Sequence, residues 1–268
     1  MPVAMVTGAG RGIGQATAIA LAEAGFAVGL VARTRQELEQ TAAEVVQRGT
    51  EQLVAVADVT DQESVRRAVG DIETRLSSID VLVNNAGSMC AIGPIWEIDP
   101  NDWWTDVRTS LWGAFVCCHA VVPGMIERRH GRIINVTSYV AVRPGPYQSG
   151  YAAAKAGLAS LTESLAASLE PNGVRAFSVA PGFTDTEMTR ALRKSEAGAR
   201  WLPRAGNGRV VDAESSAALI TWLATGSGDA LNGRFLHTLD DVQALVERIE
   251  EVRRLDLYVP RIHRFDTL

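Results

Sequence analysis

Tyr151-Ala-Ala-Ala-Lys155 sets a phenol and an ammonium four residues apart. On a helix that spacing brings both side chains to one face. A free phenol titrates at about pH 10, and a neighbouring cation favours its anion, so the pair suits proton exchange near neutrality. The YxxxK pattern alone is weak, because salt-tuned surface helices also carry it. Tyr147 lies four residues earlier but has no lysine four residues after it, which makes it the poorer candidate. Ser138 follows the apolar run Ile133-Ile-Asn-Val-Thr137. A hydroxyl there can bond and polarise a carbonyl oxygen, or simply close a turn.

A second constellation is Thr7-Gly-Ala-Gly-Arg-Gly-Ile-Gly14, which joins the first apolar run to the first helical pattern. The spacing is TGxxxGxG, neither GxGxxG nor a P-loop. Gly8, Gly12 and Gly14 allow close approach to a pyrophosphate, and Arg11, Ile13 and the helix start supply amides and positive dipole. The next strand ends Leu30-Val31-Ala32-Arg33 without an acid. An acid there would bond a ribose 2′-hydroxyl, whereas an arginine suits a 2′-phosphate. Arg33, with Arg11 and Arg35 nearby, therefore favours NADP(H), with NAD(H) still possible. One charge-assisted contact is worth about 1.5–3 kcal/mol, roughly ten- to a hundredfold. Asp58 and Val59 follow the third strand, where Asp58 either accepts from an adenine amino group or makes a helix-start turn. Asn84-Asn85-Ala86-Gly87 ends the fourth strand in a tight turn.

The elements that must carry these residues alternate regularly. Apolar runs at Val3–Thr7, Ala27–Val31, Leu53–Ala57, Asp80–Asn84, Arg132–Thr137, Val174–Ala180 and Arg234–His237 read as strands. Between them lie helices from Gly12, from Thr34 (capping box with Glu37) and from Thr60 (with Glu63). Further helices start at Asp99-Pro100, running to about Arg129 with a kink at Pro123, and cover Gly150–Leu169, 211–224 and about 240–254. This is an α/β doubly wound, Rossmann-like parallel sheet of about seven strands, with helices on both faces. Residues 1–268 read as one domain. The stretch 184–209 reads as a partly helical flap, and about 240–268 as an extra C-terminal segment.

Bulk properties narrow the function. The 268 residues carry a net charge of −5, which argues against nucleic acid as partner. No apolar run reaches the roughly 18 residues of a bilayer span. Cys90, Cys117 and Cys118 form no disulfide framework, so a reducing cytoplasm is expected. The histidines, His119, His130, His237 and His263, show no metal spacing.

Together the motifs resemble the short-chain dehydrogenase/reductase family over about residues 1–190. TGAGRGIG is similar to the family's cofactor loop, Asn84 to Gly87 to its NNAG segment, and YAAAK to its active-site motif, with Ser138 thirteen residues upstream. Pro181-Gly182 followed by Thr186 resembles the PGxxxT segment that holds the nicotinamide carboxamide. The resemblance implies an oxidoreductase that interconverts an alcohol and a carbonyl. Ser138 would orient the substrate oxygen and Tyr151 would exchange the proton. Lys155 would lower the tyrosine pKa and bond the nicotinamide ribose. It also implies a homodimer or homotetramer, paired through the long helix and the Tyr151 helix, with Ala159, Leu161, Leu165 and Leu169 at the contact.

Two departures stand out. Arg108-Thr-Ser-Leu-Trp-Gly113 puts Ser110 where the family places an asparagine that holds a relay water. The end reads Leu236-His-Thr-Leu-Asp-Asp241 rather than Asp-Gly-Gly, with a tail beyond. A cofactor-binding regulator or redox sensor with impaired catalysis is the alternative they raise. Candidate substrate walls are Met89 to Ile95, Tyr139 to Tyr147, and Met188, Trp201 and Leu202, mostly apolar with Arg143 as one charge. They favour an apolar small-molecule carbonyl or alcohol.

Overall fold

The computed structural model describes residues 1–261 except 204 and 207–209. Parts of the expected flap and tail, and His263, thus lie outside the described residues. The first half winds β1 (Val3–Thr7), α1 (Gly12–Glu23), β2 (Ala27–Ala32), α2 (Arg35–Val46), β3 (Gln52–Val56), α3 (Gln62–Arg75) and β4 (Ile79–Asn84). The second adds α4 (Pro100–Val107), α5 (Gly113–Arg128), β5 (Gly131–Val136), α6 (Ser149–Leu169) and β6 (Val174–Ala180). A short pair, β7 (Phe183–Thr184) with β8 (Val210–Val211), brackets α7 (Glu187–Lys194) and α8 (Glu196–Trp201). Then come α9 (Ala213–Ala224), β9 (Phe235–His237), α10 (Val242–Glu247) and α11 (Ile249–Arg254).

The main sheet has seven parallel strands in the order β3-β2-β1-β4-β5-β6-β9. β1 and β5 are almost wholly buried because helices cover both faces, which is why they read as continuous apolar runs. One face packs α1, α2 and α9 through residues such as Leu21, Leu38 and Ile220; the other packs α3, α5 and α6 through Ile72, Val121 and Leu169. Each large aliphatic buried this way contributes about 1.5–3 kcal/mol. Winding reverses between β1 and β4, so a crevice opens at their carboxyl ends.

Local chemistry set several boundaries differently from the sequence reading. Thr34 makes no capping bond, and Glu37 instead lies 3.5 Å from the Arg11 guanidinium. Asp61, not Thr60, caps α3 by accepting the Glu63 and Ser64 amides, while Glu63 pairs with Arg66. A carboxylate is the stronger acceptor in such a choice. Asp99 caps α4 as expected. The long helix continues through Pro123, and its ladder widens into a π-helical turn at Arg108–Trp112, centred on Ser110.

By length and composition alone the helix Pro100–Arg128 is long and apolar enough to cross a membrane. It is nevertheless a core helix: Val116, Cys117, Val121 and Met125 pack against the sheet. The tail forms two short helices rather than one. It returns to the sheet edge, where Phe235 donates its amide to the Tyr258 carbonyl at 2.7 Å and Arg234 pairs with Asp256.

Candidate active site

The glycine loop is built by close approach. Gly8 and Gly12 adopt φ of 65° and 57°, where glycine is favoured. A methyl group at Gly14 would overlap the Gly8 carbonyl oxygen and crowd the Asn85 amide. Asn85 in turn bolts the end of β4 to this loop: its Nδ2 donates to the Thr7 carbonyl at 2.9 Å and its backbone amide to Thr7 Oγ1 at 3.0 Å. Arg11, at the N-cap of α1, makes no side-chain capping bond, and Arg11, Gly12 and Ile13 line the cleft at this helix start, where an anion would be favoured. Thr137 also lines the cleft, and its Oγ1 is buried without a protein partner among the described residues. These features fit a dinucleotide. Gly14→Ala should therefore lower the melting temperature and weaken cofactor binding roughly tenfold, the scale of an overpacked contact, as read by thermal melt and fluorescence titration.

One cleft is lined by Gly8, Arg11, Gly12, Ile13, Arg33, Asp58, Val59, Asn85, Ala86, Gly87, Tyr151, Lys155, Pro181 and Thr186. Gly14 sits behind it as packing, and Gly182 turns the chain after β6 with φ of 76°. Thr186 lines the cleft while capping α7 in a reciprocal arrangement with Thr189. Asp58 Oδ1 accepts the Thr60 amide at 2.8 Å, the helix-start turn, and the residue also faces the cleft. The three arginines differ. Arg11 is engaged by Glu187 at 2.6 Å and by Glu37, and Arg35 pairs with Glu39 outside the cleft. Arg33 lines the cleft and makes no ion pair among the described residues.

At the opposite end, Lys155 is buried on α6, with Nζ donating to the Val136 carbonyl at 2.7 Å. Nζ lies 5.6 Å from the centre of the Tyr151 ring. Burial pushes the Lys155 ammonium down to about 8. Burial likewise pushes the Tyr151 phenol up, opposed by a hydrogen bond with Ser138 and reinforced by the Asp106 charge. Ser138 opens a short 3-10 turn at Tyr139–Ala141. A phenol near a serine hydroxyl, with a cation close to its ring, can hand a proton to an oxygen placed between the two hydroxyls. Ser110 lies outside the cleft lining, buried, where its Oγ accepts the Ser88 amide at 3.3 Å. Gly87 separates it from Lys155: a side chain starting at Gly87 would meet Ser110 Oγ at 3.4 Å and Lys155 Nζ at 3.5 Å. π-helical turns recur at functional sites, and this one contains Ser110.

The sequence reading did not single out Thr109, Thr137 or Glu187, which also line the cleft, nor Ser88 and Asp106 behind it, and it gave Glu37, another lining residue, only a capping role. Ser88 adjoins Gly87 in sequence and so was within reach; Asp106 carried no motif. On the substrate side, Trp201 of α8 stacks obliquely on Tyr147 at 4.9 Å, and the Gly93 amide donates to the Tyr147 carbonyl. Arg200 lies over Trp201 and 3.9 Å from Glu97, so the flap and the two loop walls meet. Of the expected contact residues on α6, Ala159 and Leu169 are buried in the core, and Leu165 packs against it. The exposed apolar surface of the long helix is Trp104, Trp112 and Phe115.

Residues 2–197 match the family model described as short chain dehydrogenase. The chain is 38% identical over 224 residues to a 3-oxoacyl-[acyl-carrier-protein] reductase of Synechocystis sp., covering 83% of this chain and 89% of the relative. It is 33% identical over 237 residues to the 3-oxoacyl-[acyl-carrier-protein] reductase FabG of Staphylococcus aureus, 87% of this chain and 95% of that one. Among solved structures it resembles levodione reductase, with TM-score 0.82, 29% identity and coverage of 91% and 97%. It also resembles a gluconate 5-dehydrogenase of Burkholderia cenocepacia in complex with NADP and tartrate, with TM-score 0.78, 35% identity and coverage of 88% and 92%.

Proposed function

This chain belongs to the short-chain dehydrogenase/reductase family of NAD(P)-dependent oxidoreductases, and we propose that it is an NADPH-preferring reductase of ketones, with Tyr151 as proton donor. One observation carries the reading: buried Lys155 lies 5.6 Å from the centre of the Tyr151 ring at one end of a cleft whose other end is the glycine loop. The bound nicotinamide would supply the hydride. Gly8, Arg11, Gly12, Ile13, Gly14, Asp58, Val59, Asn85, Ala86, Gly87, Pro181, Gly182 and Thr186 would form the seat of the whole dinucleotide, with Arg33 at the adenosine phosphate.

Ser138 and Tyr151 bind the carbonyl oxygen. Polarisation by Ser138 makes the carbon electron-poor. Tyr151 gives its proton to the oxygen as negative charge develops there, and the Lys155 ammonium stabilises the phenolate left behind. Ser110 stands one glycine away from Lys155 in the position the family gives to its relay asparagine. The names of relatives acting on 3-oxoacyl groups and on levodione support carbonyl reduction, and the NADP-bound neighbour supports the phosphate preference. Free thiols at Cys90, Cys117 and Cys118 fit a reducing, cytoplasmic setting.

The test is a turnover panel of ketones and secondary alcohols with NADPH and NADH. The reading expects ketone reduction with a lower KM for NADPH, and no turnover on any member with either cofactor would refute it. A homodimer or homotetramer formed across the Trp104, Trp112 and Phe115 face is part of the same reading. A monomer by light scattering at micromolar concentration would remove that part.

A further inference from the structure

Asp106 is a carboxylate fully withdrawn from solvent that the steps above do not use. It lies on α4, four residues before Ser110. Its Oδ1 accepts the Ser88 hydroxyl at 2.8 Å, the Cys90 amide at 2.8 Å and the Cys90 thiol at 3.2 Å; its Oδ2 accepts the Ala91 amide at 3.2 Å. A buried carboxylate is tolerated only where donors replace its hydration. All these donors come from one segment, 88–91, which directly follows Asn85-Ala86-Gly87 and opens the substrate wall. Ser88 extends the link, since its amide donates to Ser110 Oγ while its hydroxyl is held by Asp106. Gly87, one residue earlier, separates Ser110 Oγ from Lys155 Nζ. Asp106 is thus joined to the reactive pair by Ser88 and Ser110.

We propose that Asp106 is a positioning residue for the reaction. Its carboxylate clamps the 88–91 wall and, through Ser88, holds Ser110 beside Lys155. The proposal rests on the ketone-reductase reading of the same site.

Asp106→Asn keeps the shape but weakens the acceptor of the Cys90 and Ala91 amides. Those amides should exchange with deuterium faster than in the wild type. Asp106→Glu keeps the charge but disturbs the clamp. Its ketone KM should rise roughly fivefold, the scale of one lost hydrogen bond, with the KM for NADPH unchanged. Ser88→Ala should do the same and serves if Asp106→Asn does not fold. Unchanged amide exchange in folded Asp106→Asn, or unchanged ketone KM in both Asp106→Glu and Ser88→Ala, would overturn the clamp. Amide exchange needs no turnover, so it separates this proposal from the failure of the ketone-reductase reading, which would show as an inactive wild type.

Discussion

Tyr151→Phe will lower kcat for ketone reduction by roughly 10²–10⁴-fold, the scale of a lost general acid, while cofactor binding persists. The phenyl ring keeps the packing of α6 but has no proton to give and cannot bond Ser138. The pH profile sharpens the prediction. Burial raises the Tyr151 phenol, so the acid form that reduction needs is present at neutral pH. Lys155 is pushed down to about 8, so the ammonium that stabilises the phenolate is present below that pH and lost above it. Wild-type reduction should therefore be level at neutral pH and decline as pH rises through about 8. The residual rate of Tyr151→Phe should lack that decline if the lysine acts through the tyrosine. Steady-state kinetics between pH 6 and 10 would check this, and an unchanged kcat in the variant would remove Tyr151 from the chemistry.

Arg33→Ala will raise the KM for NADPH roughly tenfold or more and leave that for NADH nearly unaltered. The reason is in how the three arginines are used. Arg11 already answers two carboxylates, and Arg35 answers Glu39. Arg33 is the cleft arginine without an ion pair among the described residues, and it lies where β2 ends. Its exposure places the effect toward the lower end of the range and makes it salt-sensitive. Arg35→Ala is the control and should change neither constant. Equal effects of Arg33→Ala on both cofactors would show that the arginine does not read the phosphate.

The sheet was legible in the sequence because parallel strands buried on both faces must be apolar throughout, as Val3–Thr7 and Val174–Ala180 are. The glycine loop was legible because its contacts leave no room for a Cβ at Gly14. Boundaries were less so. Thr34 and Thr60 had capping spacing, but Glu37 was drawn toward Arg11, and Asp61 offered a stronger acceptor than Thr60. Pro123 has a known local effect, whereas the widened turn around Ser110 depends on packing against other elements and left no local trace. The same holds for Asp106, whose importance comes from donors sixteen and eighteen residues away in the chain. Leu169 and Ala159 looked like a contact surface because small and apolar residues also serve a core, and only the packing tells the two apart.

The central claim is that this site moves a hydride to a carbonyl carbon and a proton from Tyr151 to its oxygen. The most direct measurement is transfer of deuterium from NADPH carrying deuterium at both nicotinamide C4 positions, followed in the product of a reducible ketone by mass spectrometry. Deuterium on the new carbinol carbon in the wild type, and a rate lowered at least a hundredfold in Tyr151→Phe, is the predicted result. Product without the label, or label transfer that proceeds equally fast in Tyr151→Phe, would contradict it.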